Sequence, residues 1–225
     1  MRVVSLVPSV TETLLAWGIA PVAVTRFCEQ PTLESVGGTK DPDVARIAEL
    51  APDLVVVERE ENRRQDAEAL VGAGLRLHVL HVRALEDVAP AMAGLRAAIG
   101  ADPVAAPSLR APRQPWCRAF VPIWRRPWMG LGDGTYGSSV LDRLGVANVL
   151  AGLGAYPTVS LDDVAALRPD VVLAPSEPYP FAERHRAELE RVAPVRFLDG
   201  RDLFWWGART PAALDRLAQV IAPEN

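Results

Sequence analysis

The stretch Ile47-Ala48-Glu49-Leu50-Ala51-Pro52-Asp53-Leu54-Val55-Val56 has a second copy, in pattern, further along the chain: Val164-Ala165-Ala166-Leu167-Arg168-Pro169-Asp170-Val171-Val172-Leu173. Each copy reads as the end of a helix, a Pro-Asp turn and an apolar strand. Proline cannot continue the helix, because its ring fixes φ and it has no N–H to donate. The strand after it is a continuous aliphatic run rather than an alternating one, as suits a strand covered on both faces.

The flanks repeat in the same order. Upstream, Leu14-Leu15-Ala16-Trp17-Gly18 closes a helix in the first half and Val140-Leu141-Asp142-Arg143-Leu144-Gly145 closes one in the second. Downstream, a polar helix leads to Leu75–Leu80 or to Val195–Leu198. Further strands are expected at Val3–Val7, Val22–Thr25, Leu54–Val57, Arg118–Ile123 and Val171–Ala174, and helices at 9–17, 43–50, 62–73, 85–99, 136–144, 161–167, 181–192 and 210–222. Strand alternating with helix implies βαβ units and parallel sheets. One such unit, duplicated, predicts two similar α/β lobes, residues 1–84 and 117–225, with a cleft between them. Residues 85–116 are read as a helix and a connector. Its part Ala101–Trp116 carries prolines at 103, 107, 112 and 115 and excludes a helix of three or more turns.

Composition narrows the function. The chain has 225 residues, 49% hydrophobic and 23% charged, with a net charge of −4. That is a globular mix without the basic excess of a nucleic-acid binder, so no nucleic-acid partner is expected. Cys28 and Cys117 are far apart and in no metal-ligand spacing. His78 and His81 end a strand, where alternation puts them on opposite faces, so no metal site of protein ligands is expected. The start, MRVVSLVPSV, runs directly into a strand with no apolar leader stretch. It therefore points to a cytoplasmic protein, or to one from which a leader was removed.

Several strings, in order, resemble a known family. They are Val4-Ser5-Leu6-Val7-Pro8-Ser9-Val10-Thr11-Glu12, Val24-Thr25-Arg26-Phe27-Cys28-Glu29-Gln30-Pro31 and Val36-Gly37-Gly38-Thr39, followed by the Pro52-Asp53 turn. In the second half they are Gly132-Asp133-Gly134-Thr135-Tyr136 and Ala155-Tyr156-Pro157-Thr158-Val159-Ser160. The chain resembles the class III substrate-binding proteins, or helical-backbone metal receptors, and most closely their cobalamin-binding branch. The resemblance implies an α/β fold of two Rossmann-like lobes, their parallel sheets facing a central cleft, joined here by the Pro-rich connector. It implies a non-catalytic binding protein, related to ABC transporters. Its ligand would be cobalamin, another corrinoid or another bulky metal chelate, held between the lobes.

Three departures stand out. Members of the family are exported, the bridging helix between lobes is replaced by the Pro-rich stretch, and one of two permease-docking carboxylates is missing. The docking positions lie seven residues before each Pro of the Pro-Asp turns and hold Ala45 and Asp162. An intracellular enzyme or ligand-handling chaperone on the same scaffold is the alternative, and Glu60 with Glu177 is its candidate acid–base pair.

Candidate ligand-binding residues follow the rule that parallel sheets bind ligands beyond the carboxyl ends of their strands. Trp124 and Arg125 follow the first strand of the second half; Asp202, Trp205, Trp206 and Arg209 follow its last. Tryptophan rings offer flat apolar faces to a macrocycle, and arginine can clamp a carboxylate or phosphate. Phe27 and Tyr156 fall where the resemblance places aromatic ligand contacts. Glu60 and Glu177 occupy equivalent places in the two copies and read equally as holders of a cationic ligand or as helix caps, whereas Glu61 and Asn62 read as caps.

Overall fold

The computed structural model describes residues 1–106 and 108–222. The chain divides into two compact units, one of Met1–Val82, Glu86–Ala106 and Trp206–Ala208, the other of Arg83–Leu85, Pro107–Trp205 and Arg209–Asn225.

In chain order the first half forms β1 (Val3–Ser5), α1 (Pro8–Ala16), β2 (Ala23–Val24), β3 (Glu34–Ser35), β4 (Gly37–Gly38), β5 (Asp41–Pro42), α2 (Val44–Glu49), β6 (Leu54–Glu58), α3 (Arg64–Gly72), β7 (Leu77–Leu80) and α4 (Leu85–Ala98). Five strands make one parallel sheet in the order β3-β2-β1-β6-β7. The aliphatic runs of β1 and β6 are fully buried in it, and Val4, Leu6, Val55 and Val57 pack with Ile47 of α2 and Leu70 of α3.

The second half forms β8 (Cys117–Phe120), β9 (Pro122–Trp124), β10 (Met129–Gly130), α5 (Tyr136–Arg143), β11 (Val146–Asn148), α6 (Leu161–Ala166), β12 (Val171–Pro175), a 3-10 turn at Glu183–His185, α7 (Arg186–Leu189), β13 (Val195–Leu198), α8 (Gly200–Phe204) and α9 (Thr210–Ile221). Its parallel sheet runs β11-β8-β12-β13. Phe120, Val172 and Ala174 of the sheet pack with Leu161, Val164 and Leu189 of the helices.

The two halves repeat one design. In each, the second strand lies beside the first, and the two later strands continue on the first strand's other side: β2-β1-β6-β7 and β11-β8-β12-β13. The Pro-Asp turn does the same work twice. Asp53 accepts the backbone N–H of Arg2 at 2.6 Å and Asp170 accepts that of Arg118 at 2.7 Å. Each carboxylate thus pins the start of a later strand to the start of the first. The residue before each proline takes the same left-handed backbone, Ala51 at φ 45° and Arg168 at φ 51°. The helix before each turn is capped by a side-chain oxygen, from Asp43 on α2 and from Ser160 on α6.

Some elements differ from the sequence expectation. The strand expected at Arg118–Ile123 is two strands. Pro122 has no N–H for the parallel ladder, and β9 leaves the main sheet to pair antiparallel with β10. The helix expected over 181–192 is a 3-10 turn followed by the four-residue α7. There the Ala182 N–H goes to the ring of His185, 3.1 Å away. Strand β11 and helix α8 were not expected, being only three and five residues long.

The connector carries no helix or strand among its described residues; Pro107 lies outside them. Its later residues, from Arg110 to Trp116, lie along the end of α5. Trp116 donates its indole N–H to Leu144 O at 3.0 Å and its backbone N–H to Gly145 O at 3.0 Å, while Arg113 N–H reaches Arg143 O at 3.2 Å. Carbonyls that a helix end leaves open are satisfied in this way. Among the described residues no helix is long and apolar enough to cross a membrane. Both cysteines are buried and free.

Candidate functional site

In each unit the strand order reverses at the first strand, and such a switch point is where open parallel sheets bind ligands. In the second unit the strands meeting there are β8, which leads into Trp124, and β12, which leads into Glu177 and Tyr179.

Trp124 ends β9 and is 45% exposed. Its ring meets the ring of Tyr179 edge-on, with centroids 5.6 Å apart and an interplanar angle of 77°. Tyr179 in turn lies 4.7 Å from Phe181 and 5.5 Å from His185, and Phe181 stacks on Trp128 at 5.9 Å. Phe181 belongs to the unit's core, with Tyr179 and Trp128 packed against it. The exposed tryptophan is thus the outer end of a ring cluster rooted in the core. Arg125, next to it, donates Nε–H to Glu188 at 2.9 Å and lies against the Tyr179 hydroxyl. That pairing occupies the guanidinium which the sequence suggested as a ligand clamp.

Tyr156 follows β11 and is 44% exposed. Its backbone neighbours are fixed. Ala155 O accepts from Gly132 N–H at 2.8 Å and Pro157 O from Gly130 N–H at 3.1 Å. An exposed ring on a doubly anchored loop loses little freedom when it contacts a ligand.

After β13, helix α8 packs closely on the loop that leaves β12. A Cβ at Gly200 would meet Glu177 backbone atoms at 2.6 and 2.7 Å, so only glycine fits. Glu177 is half-buried beneath it, and Ser176 Oγ accepts the Gly200 N–H at 3.0 Å. Asp202, on α8, departs from the sequence expectation of a ligand contact. It is buried, and both carboxylate oxygens accept from Arg216 of α9, at 2.7 and 2.8 Å. Arg209 lies 3.5 Å from the same carboxylate, with its guanidinium 5.4 Å from the centroid of the Trp205 ring. This network ties α8 to α9, because a buried charge must be paired. Tyr136, hydrogen-bonded to Thr210 at 3.1 Å, has its phenol pushed up to about 12 by burial. Trp206 also departs from expectation: at 5% exposure its ring is packing, whereas Trp205 is half-buried.

In the first unit Phe27 follows β2 and is 50% exposed. One face carries the Arg26 guanidinium 5.0 Å from the ring centroid, and Asp41 holds that guanidinium through both carboxylate oxygens at 2.9 Å. Glu60 is exposed in the loop after β6. Glu58, the last residue of β6, is buried. Its carboxylate accepts the backbone N–H groups of Glu60, Glu61 and Val82, and burial pushes its carboxyl above the ordinary value. Asn62 is not a helix cap; its amide donates to Leu6 O at 3.1 Å and to Thr39 O at 2.8 Å and so closes the loop. Glu61 makes no cap of α3 either, since the N-cap position of that helix is Arg63 and carries no side-chain cap. Among the described residues no group of three or more His, Cys, Asp or Glu is placed to hold a metal.

The residues missed by sequence reasoning are Tyr179, Phe181 and His185. The available signal was the alternation Tyr179-Pro180-Phe181 in the loop that follows a buried strand, which resembles the aromatic loops that were noticed.

Two parallel-sheet units of one strand order, with exposed aromatic rings on the loops past their strands, fit the class III substrate-binding fold that the sequence resembles. Comparison with known proteins finds a likeness that runs over nearly the whole chain. The vitamin B12-binding protein of Vibrio cholerae serotype O1 is 26% identical over 245 residues, covering 97% of this chain and 87% of that protein. That of Salmonella typhimurium is 27% identical over 189 residues, covering 76% of this chain and 71% of that protein. Among solved structures, the periplasmic vitamin B12 binding protein BtuF of Vibrio cholerae matches with a TM-score of 0.75 at 22% identity, covering 97% of this chain and 95% of its own. A periplasmic heme-binding protein from Pseudomonas aeruginosa matches with a TM-score of 0.78 at 21% identity, covering 96% of this chain and 91% of its own. No family profile matches the chain. These relatives are binding proteins, and the solved ones are periplasmic, which does not support the cytoplasmic expectation.

Proposed function

We propose that this chain is a non-catalytic binding protein for a corrinoid or another bulky metal chelate. Residues 1–84 and 117–225 each contribute to the ligand, and 85–116 join them. The observation that carries the reading is the set of exposed aromatic rings: Phe27 and Tyr156 on the loops that follow the parallel strands β2 and β11, and Trp124 at the end of β9, just past the parallel strand β8. Large exposed rings are costly to leave in water unless something covers them, and a conjugated macrocycle is a suitable cover. Similarity to vitamin B12-binding proteins over most of the chain supports a corrinoid.

The solved relatives are periplasmic, which supports a place outside the cytoplasmic membrane. For handing ligand to a permease, this protein offers a carboxylate in one half. Asp162 is exposed and paired with Arg191 at 3.2 Å, while Ala45, exposed on α2, has none to give.

The test is a thermal-shift comparison of purified protein with cyanocobalamin, dicyanocobinamide, haemin and a ferric siderophore. A ligand that binds only the folded state raises the melting temperature. A rise with a corrinoid supports the proposal. A rise with haemin alone moves the ligand to a porphyrin, and no rise with any of them overturns the reading.

A further inference from the structure

Trp124 is surface-exposed, yet it is not a free side chain. Its edge contact with Tyr179 continues through Phe181 into the core, and Tyr179 is held from below by His185, whose ring lies 5.5 Å from both Tyr179 and Phe181. Tyr179 also meets Arg125, the residue after Trp124, and Arg125 is fixed by Glu188. A single side chain from the β12 loop therefore meets the last residue of β9 and the first residue of the turn that leaves it. An edge-to-face pair restricts the ring as well as covering its edge.

We propose that Tyr179 is the positioning residue for Trp124: it holds the indole so that one broad face stays open, as a ready-made wall for a flat conjugated ligand. The inference rests on the proposed ligand class for its meaning, but the placement of the ring is independent of any ligand. Restraint before binding matters because a side chain that is already ordered loses less entropy on contact. Loss of Tyr179 therefore frees the indole and weakens binding without removing any ligand contact of Trp124 itself.

The experiment uses the full chain and four variants: Trp124→Phe, Tyr179→Phe, Tyr179→Leu and Tyr179→Ala. Acrylamide quenching of tryptophan fluorescence is measured for each, and the difference between the parent and Trp124→Phe isolates the Trp124 signal. Tyr179→Phe keeps the ring edge and is expected to quench as the parent does. Tyr179→Leu fills the core but removes the edge, and Trp124 becomes more accessible to quencher in it. Tyr179→Ala does the same if it folds, and Tyr179→Leu decides the matter if it does not. With cyanocobalamin as probe, affinity falls roughly 2- to 10-fold in Tyr179→Leu, the range an aromatic pair contributes, and is kept in Tyr179→Phe. Unchanged quenching in a folded Tyr179→Leu variant overturns the proposal. If the parent protein does not bind cyanocobalamin, the ligand assignment falls, while the quenching comparison still decides the role of Tyr179.

Discussion

His185 shows how one residue can set a pH response. It is buried, and its Nδ1 accepts the Ala182 N–H at 3.1 Å. Protonation would place a donor against that donor. Burial is the main influence that holds its pKa below the ordinary 6.5, aided by Arg184 and Arg125 and opposed by Glu188. Between 6.5 and the lower folded value the unfolded chain binds more protons, so stability is full above 6.5 and is lost as pH falls through this window. Asparagine keeps an acceptor near the Nδ1 position and cannot titrate. Urea unfolding of the parent and of His185→Asn should show the parent losing stability relative to the variant between pH 7.5 and pH 5. A difference that stays constant with pH would refute this reading of the imidazole. Of the candidate residues, Trp124 was picked out by its position after a strand and Phe27 and Tyr156 by the family resemblance, and all three rings are exposed. Asp202 and Trp206 share that position, but their burial depends on Arg216 and on core packing that come from elsewhere in the chain.

Among the elements, the close seat of α8 on the β12 loop is the most exposed to test. A methyl at Gly200 would overlap Glu177 backbone atoms, and backbone cannot step aside as a flexible side chain can. Gly200→Ala should therefore lower stability by about 1–3 kcal/mol and shift α8, with Trp205 and Asp202 on it. Chemical denaturation gives the first effect and near-ultraviolet circular dichroism the second; a variant as stable as the parent would show that the seat is looser than its geometry implies. The seven strands expected from apolar runs all contain β-structure; β6 and β12 are continuous and fully buried, whereas His78 interrupts β7 and Arg196 interrupts β13, and both of these strands are only partly buried. Strand β11 and helix α8 were not readable, since three to five residues carry no period. The 181–192 stretch was misread because its apolar spacing suits a helix, while the contact of Ala182 with the His185 ring tightens its start into a 3-10 turn.

For the molecule as a whole, duplication was the most informative property of the sequence, and it is visible in the atoms: one strand order, one aspartate bond and one left-handed residue, each present twice. The likeness to the vitamin B12-binding protein of Vibrio cholerae serotype O1 runs through both halves. What the residue patterns alone could not provide was the choice among corrinoid, porphyrin and siderophore, because aromatic walls suit all three. Isothermal titration of the purified chain with cyanocobalamin, alongside Tyr156→Ala, addresses that choice. We expect saturable heat with one ligand per chain, and an affinity lower by ~1 kcal/mol or more in Tyr156→Ala, as for a truncated aromatic anchor. Absence of heat from the unaltered protein, across corrinoids with and without the lower axial base, would contradict the assignment.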